Sequence, residues 1–280
     1  MPSGGRDQQP SPFLSRELWH RTSAAVTALF DMRLRALRRD RAARVGPELF
    51  LLERTFEDCL ERIALVQRKF ERALLIGCPD PTWPARLNDF AGEIGVYDPG
   101  RLFAQAAGGR TIIEDEWSAP PTAYDLVLTI GTLDTVNDLP RALRSVRSAM
   151  GPTSLFIGAI SGGETLPLLR SAMRAADQVT GAATAHVHPR VEASALAPLL
   201  AAAGFTQPVV DIDRLQVAYA SLDRLVGDLR AMGATNVLTA RSHRPLSRAA
   251  LFAAKDAFRQ AGESRRAIET FEILHFAAWT

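Results

Sequence analysis

Four short segments carry the residues with which this chain could do chemistry: Gly77-Cys78, Asp98, the acidic run Glu114-Asp115-Glu116, and Gly131-Thr132. Each follows an apolar stretch of strand character. A glycine turn between a strand and a helix exposes backbone N–H groups to an anionic ligand. An acid such as Asp98 at the next strand end accepts hydrogen bonds from both hydroxyls of a ribose. A side-chain oxygen of Glu114, Asp115 or Glu116 takes the amino group of an adenine, and Gly131-Thr132 is small enough to admit the amino-acid end of a ligand. The first segment is also the most damaged. In ALLIGCPDP, 73–81, only Gly77 remains where a glycine-rich loop is expected, and Pro79 and Pro81 supply neither a free φ nor an N–H. The series therefore reads either as a working cofactor site or as a scaffold whose loop has lost its chemistry.

Each of these residues also has an ordinary structural use. Asp98 before Pro99 can cap a helix starting near Arg101. The acidic run reads equally as a solvated loop. Cys78 reads as a small buried residue, because no adjacent basic residue is present to activate a thiol. His186 and His188 in HVHP lack a third ligand at metal-binding spacing, so no metal is expected. SGGETL, 161–166, is a strand-to-helix turn with Thr165 as its expected cap, and Gly162, Gly163 and Glu164 then lie at the ligand end of the sheet. The loop RAMGATN, 230–236, presents Thr235 and Asn236 to a cleft or to solvent. No residue stands out as a catalytic acid, base or nucleophile.

The elements that must hold these groups follow from periodicity. From residue 71 onward, short apolar strands at 73–76, 94–97, 111–113, 126–130 and 155–160 alternate with helices at 83–90, 101–107, 139–150, 166–179 and 193–203. That alternation predicts a doubly wound α/β fold with a mostly parallel seven-stranded sheet, its last two strands at 208–218 and 270–279. A helical insertion or lid, 219–268, separates those two strands. Ahead of the sheet lies a helical extension, 17–70, after a start at 1–16 expected to be disordered. Within the extension, residues 48–70 place Leu52, Phe56, Cys59, Leu60, Ile63, Val66 and Phe70 on one helical stripe. The preceding helix, 17–44, carries six arginines from Arg33 to Arg44. Leu34 and Leu37 alternate with them, which predicts an apolar inner face and a basic outer one that is solvated, binds phosphate or docks an acidic partner.

Composition excludes several classes. The formal net charge is only +2 and no stacked aromatics accompany the arginines, so nucleic acid is not an expected partner. No apolar run reaches the length of a membrane span. Two cysteines without a spacing partner suit a reducing compartment. A cytoplasmic protein is expected, or one of the mitochondrial matrix if the source is eukaryotic.

The order of strand-end residues resembles a class I S-adenosylmethionine-dependent methyltransferase, with a Rossmann-like fold, over about 72–217. The segments FDMRLRALRRDRAA, YDLVLTIGTLDTVNDLPRALRSVR, FIGAISGGETLPLLR and DLRAMGATN are similar to complex I assembly factors of methyltransferase type, which include an arginine hydroxylase and are relatives of malonyl carrier-protein methyltransferases. The resemblance implies S-adenosyl-L-methionine as cofactor, held by Gly77, Cys78, Asp98, Asp115, Glu116, Gly131 and Thr132. It implies modification of a protein side chain in respiratory complex assembly, with a protein partner docking on the helix from Arg33 to Arg44. The alternative is a non-catalytic pseudoenzyme or assembly scaffold with a degenerate loop. A third possibility is small-molecule methyl transfer on a carrier protein. Members of the family commonly have a GxG-like turn after the first strand and a His-Trp pair after the fourth, where this chain has CPDPTW and Asp134-Thr135.

Overall fold

The computed structural model describes residues 28–262 and 266–280. The sequence-based expectations for 1–27, a disordered start and the first part of the arginine-rich helix, lie outside the described residues. Seven strands form one sheet in the order β3-β2-β1-β4-β5-β7-β6. They are β1 (Phe70–Ile76), β2 (Ala91–Asp98), β3 (Arg110–Thr111), β4 (Tyr124–Ile130), β5 (Met150–Ser161), β6 (Thr206–Tyr219) and β7 (Ala267–Trp279). The first five pair in parallel, whereas β7 runs antiparallel to both β5 and β6. Strand order reverses at β1 and β4, so the carboxyl ends of these two strands open the crevice at which ligands gather in such sheets.

Strict alternation along the central strands explains why both faces are covered. Leu74 and Ile76 of β1 enter one core, and Ala73 and Leu75 enter the other. The first core packs α5 (Leu139–Ala149) and α7 (Ala193–Ala202) on the sheet through Leu143, Val146, Leu196 and Leu200. The second packs α2 (Phe50–Leu65) and α3 (Trp83–Leu87) through Phe56, Ile63, Trp83 and Leu87. Here the stripe read from the sequence is present, but the helix stops at Leu65 and Phe70 opens β1. Phe56 is fully buried and stacks on Trp83 with ring centroids 4.3 Å apart. The Trp83 indole N–H donates to Glu53 at 2.7 Å, which fixes the ring.

The remaining helices are α1 (Met32–Val45), α4 (Arg101–Ala106), α6 (Pro167–Thr180), α8 (Leu222–Ala231) and α9 (Arg248–Gln260). The last two fill the insertion between β6 and β7, and with α6 they bury Leu169, Leu225, Phe258 and Phe271 in a third core. Glu269 accepts from the first N–H groups of α6, those of Leu168 and Leu169, while Thr165 donates to the Glu272 carbonyl rather than capping the helix. Gly204 closes α7 with φ +92°, as its position after the helix predicts.

The chain ahead of α1 is stitched to the insertion. Phe30 bridges to Leu238, and its ring meets His188 edge-on at 5.3 Å. His188 Nε2 accepts from the Val237 N–H at 2.9 Å, so its proton sits on Nδ1. Burial, reinforced by the nearby Arg190 charge, pushes this imidazole down to about 3. His186 points elsewhere, onto Asp177 at 2.8 Å, and the HVHP pair does not converge.

Two outcomes are expected. Phe56→Ala should lower unfolding free energy by about 3–5 kcal/mol in a urea melt, because the stack on Trp83 leaves a cavity that the fixed indole cannot fill. A loss below about 1 kcal/mol would mean that this face is loosely packed. Since His188 is depressed in the folded state, the unfolded chain takes up a proton there first, and stability should fall as pH drops from the ordinary histidine value of 6.5 toward 3. An NMR titration checks this: His188 should stay neutral at pH 5, and protonation near 6.5 would contradict the buried acceptor role.

Candidate cofactor site and its arginine clasp

The strand ends bring Gly77, Cys78, Asp98, Glu114, Gly131 and Thr132 to one edge, and α1 lies across them. The helix starts at Asp31, whose side chain accepts from the Leu34 N–H. Its buried residues are Arg35, Arg39, Asp40 and Ala42, while Leu37 is 52% exposed. The expected amphipathicity is therefore only partly met. Leu34 packs half-buried against Phe30, Val237 and Leu238, but Leu37 faces solvent, and two arginines, each under 5% exposed, reach inward to the acids of the sheet edge.

Arg39 makes a forked contact with Asp98. Its Nε donates to Oδ1 at 2.9 Å and its Nη2 to Oδ2 at 2.5 Å. The other acceptor positions of that carboxylate are taken by backbone, with the Gly100 N–H at 2.6 Å on Oδ1 and the Cys78 N–H at 2.8 Å on Oδ2. A carboxylate offers roughly four lone-pair sites, and here all are used. Burial alone would lower the guanidinium pKa, but the Asp98 charge outweighs it and the net shift is upward. Phe103 stacks beneath the guanidinium with its centroid 5.0 Å away. Next to this pair, Arg35 donates through Nε to Glu114 Oε1 at 2.8 Å and through Nη2 to the Gly131 carbonyl at 3.0 Å. Burial pushes the Glu114 carboxyl upward against the pull of Arg35. Its Oε2, like Thr132 Oγ1, is buried with no hydrogen-bond partner among the described residues.

One of the residues expected to face a ligand does other work: Asp115 Oδ2 accepts from the N–H groups of Asn137 and Asp138, tying the loop to the start of α5. Glu116 is exposed and lines a surface pocket with Tyr97 and Trp117. Glu114, one residue earlier, is the member of the acidic run that points to Asp98's neighbourhood. Gly77 is present for a reason internal to the sheet. A Cβ there would lie 2.1 Å from the Ile130 carbonyl oxygen and 2.7 Å from Thr132 Cγ2, so the backbone of β4's end already fills that side. Burial raises the Cys78 thiol to about 12, which leaves it an inert small residue.

With α1 seated, the residues do not fit an adenosyl ligand, because Asp98 has no acceptor free for a sugar hydroxyl and Pro79 is buried in the loop floor. The donor set is nevertheless of the right kind and in the right place: a carboxylate at the β2 end, a backbone N–H facing it, and unmet polar atoms on Glu114 and Thr132.

On the other side of the clasp lies a cavity of about 100 Å³, room for several waters or one side chain. Arg35, Asp134, Arg190, His188 and Glu272 supply its polar wall, and Leu52, Met232 and Phe271 its apolar one. Asp134 accepts from Arg190 Nη1 at 2.5 Å. The Arg190 charge overcomes the burial that would protonate Asp134 and holds its carboxyl below the ordinary value, while burial pulls the Arg190 guanidinium down. Met232 and Gly233 come from the end of α8 and the loop after it, so the 230–236 segment does roof the cavity, while its polar residues Thr235 and Asn236 line an adjoining pocket, where Asn236 donates to the Ala185 carbonyl at 2.7 Å. A Cβ on Gly162 would run into the buried Glu272 side chain, and one on Gly163 would displace the exposed carboxylate of Glu192. The sequence reading missed Arg35, Arg39, Arg190 and Glu272. The available signal was the row of acids at the strand ends, which needs buried counter-charge.

Comparison with known proteins agrees with this architecture. The family model described as "Methyltransferase domain" matches residues 51–209. The chain is 30% identical over 273 residues to the mouse protein "Arginine-hydroxylase NDUFAF5, mitochondrial", covering 92% of this chain and 79% of that protein. It is 31% identical over 160 residues to a malonyl-[acyl-carrier protein] O-methyltransferase of Xylella fastidiosa, covering 56% of this chain and 52% of that one. The YcgJ protein of Bacillus subtilis has the same fold, with a TM-score of 0.55 at 10% identity over 80% of this chain and 98% of its own. By the length and identity of these matches, this chain belongs to the methyltransferase-domain family, alongside the NDUFAF5 arginine-hydroxylase proteins.

Proposed function

We propose that this chain is an S-adenosylmethionine-dependent, methyltransferase-like enzyme that modifies a protein side chain in respiratory complex assembly. The observation that carries the proposal is the position of Asp98: it ends β2 beside the Cys78 N–H, and the cavity at the ends of β4 and β5 adjoins the arginines that hold it. Long similarity to proteins named arginine-hydroxylase supports a guanidinium as the acceptor. So does the chemistry of the cavity wall, where Asp134 already accepts from one guanidinium, that of Arg190, through a single hydrogen bond whose place a substrate arginine could share or take. The compartment would be the cytoplasm in a bacterium or the mitochondrial matrix in a eukaryote. Among the described residues no helix is long and apolar enough to cross a membrane.

The outer face of α1 is the surface on which a protein partner would dock. Arg33, Arg41 and Arg44 are exposed, and Arg38 lies in the field of Arg41, Arg230 and Arg241. None of Arg33, Arg38, Arg41, Arg44 or Arg230 has a carboxylate within 4.0 Å among the described residues. Such a surface suits an acidic segment, and the attraction would be screened by salt.

Calorimetric titration with S-adenosylhomocysteine tests the cofactor. Saturable binding is expected, weakened tenfold or more by Asp98→Ala. Absence of binding at millimolar ligand, both in the native chain and in an Arg39→Ala variant, would overturn the enzyme proposal and leave a scaffold. For the docking face, a Glu-rich peptide should bind with an affinity that falls steeply with ionic strength. Charge reversal at Arg33, Arg41 and Arg44 together should abolish it; unchanged peptide binding would move the partner surface elsewhere.

A further inference from the structure

We infer that α1 is an exchangeable internal occupant of the cofactor position: Arg39 holds the Asp98 carboxylate that an adenosyl ligand needs, so that the seated helix and the bound ligand exclude each other. The inference rests on the adenosyl-binding proposal and adds its regulation.

Three features of the seat support it. First, the contact is charge-matched and saturated. Arg39 takes two acceptor positions of Asp98 and the backbone takes the rest, so a ribose gains acceptors only when the guanidinium leaves. Second, the helix is fitted to this place. A Cβ on Gly100 would stand 2.8 Å from Arg39 Cβ, and one on Gly233 3.2 Å from Arg39 Cα, so two glycines on opposite sides leave room for this turn of α1. Asp40 adds a third hold, accepting from the Leu102 N–H at 2.9 Å. Third, apolar packing holds only the start of the helix, where Met32 and Leu34 lie half-buried against Phe30, Val237 and Leu238; on the turns around Arg39, Ala42 is the one buried apolar residue and Leu37 faces solvent.

A segment held by ion pairs, with little hydrophobic burial, is displaced when another ligand satisfies the same acid and its guanidinium reaches water. The unmet Glu114 Oε2 and Thr132 Oγ1 sit beside the clasp and would gain partners in the exchange. Because the apparent dissociation constant equals the intrinsic one divided by the fraction of open molecules, the clasp lowers affinity by a factor that grows with the closed-to-open ratio. The outer arginines of the same helix then give an acidic partner a means to favour the open state.

The test uses the full chain and S-adenosylhomocysteine. Arg39→Ala should bind at least tenfold more tightly than the native chain, whereas Arg144→Ala, which removes a charge from the exposed face of α5, should bind as the native chain does. Hydrogen–deuterium exchange of the native chain gives a second arm that needs no variant. Amides in 32–45 should exchange faster when ligand is saturating. Native-like or weaker binding by Arg39→Ala overturns the clasp while leaving the cofactor proposal standing, and so does protection of α1 by ligand. No binding in any chain overturns both.

Discussion

The forked ion pair between Arg39 and Asp98 is the constraint to which the ligand edge of this protein is built. It joins a helix that precedes the sheet to the carboxyl end of its second strand, and it does so in the interior, where an unpaired member would carry a large desolvation cost. Gly100 and Gly233 are open on the sides that Arg39 occupies, and Asp98 simultaneously orders the loop after β1 and the entry to α4 through backbone N–H groups. One carboxylate thus organises three segments that a small ligand would otherwise organise.

The same solution recurs along the edge. Arg35 meets Glu114, and Arg190 meets Asp134, each pair buried at the end of a different strand or loop. Acids at the carboxyl edge of a parallel sheet are suited to sugars and amines, and this chain has matched them with guanidinium groups of its own. That pattern explains how the fold tolerates a loop floor containing Pro79 and Pro81. The ordering that a glycine-rich loop and its ligand would supply comes instead from α1. It also explains why the cavity is small and lies beyond the arginines rather than over Gly77.

Much of the scaffold was legible in the residues. Continuous apolar strands such as LVLTI alternating with helices, the stripe of α2 and the glycine stop of α7 act through local geometry, so the sequence pattern reveals them, and the doubly wound sheet followed. Boundaries were displaced where tertiary pairing prevailed: Phe70 joined β1 through its register with Ala91, and β3 shrank to Arg110–Thr111. Of the site, Asp98 and Gly131 lie at their strand ends, and of the acidic run read there it is Glu114 that meets Arg35. The decisive residues were hidden because the rule that apolar faces point inward fails on α1. Arg35, Arg39 and Ala42 share one face by helical spacing, but only knowledge of which acids wait beneath can tell that this face is the buried one. Long-range charge matching leaves no periodic trace.

A double-mutant cycle across Arg39 and Asp98, read in urea unfolding of the single and double alanine variants, measures the central interaction directly. A coupling of about 2–4 kcal/mol is predicted, as expected when either single change strands a buried charge and the double change removes both. A coupling below about 0.5 kcal/mol, the range of exposed pairs, would contradict the account, because it would mean that Asp98 is solvated and α1 does not close the edge.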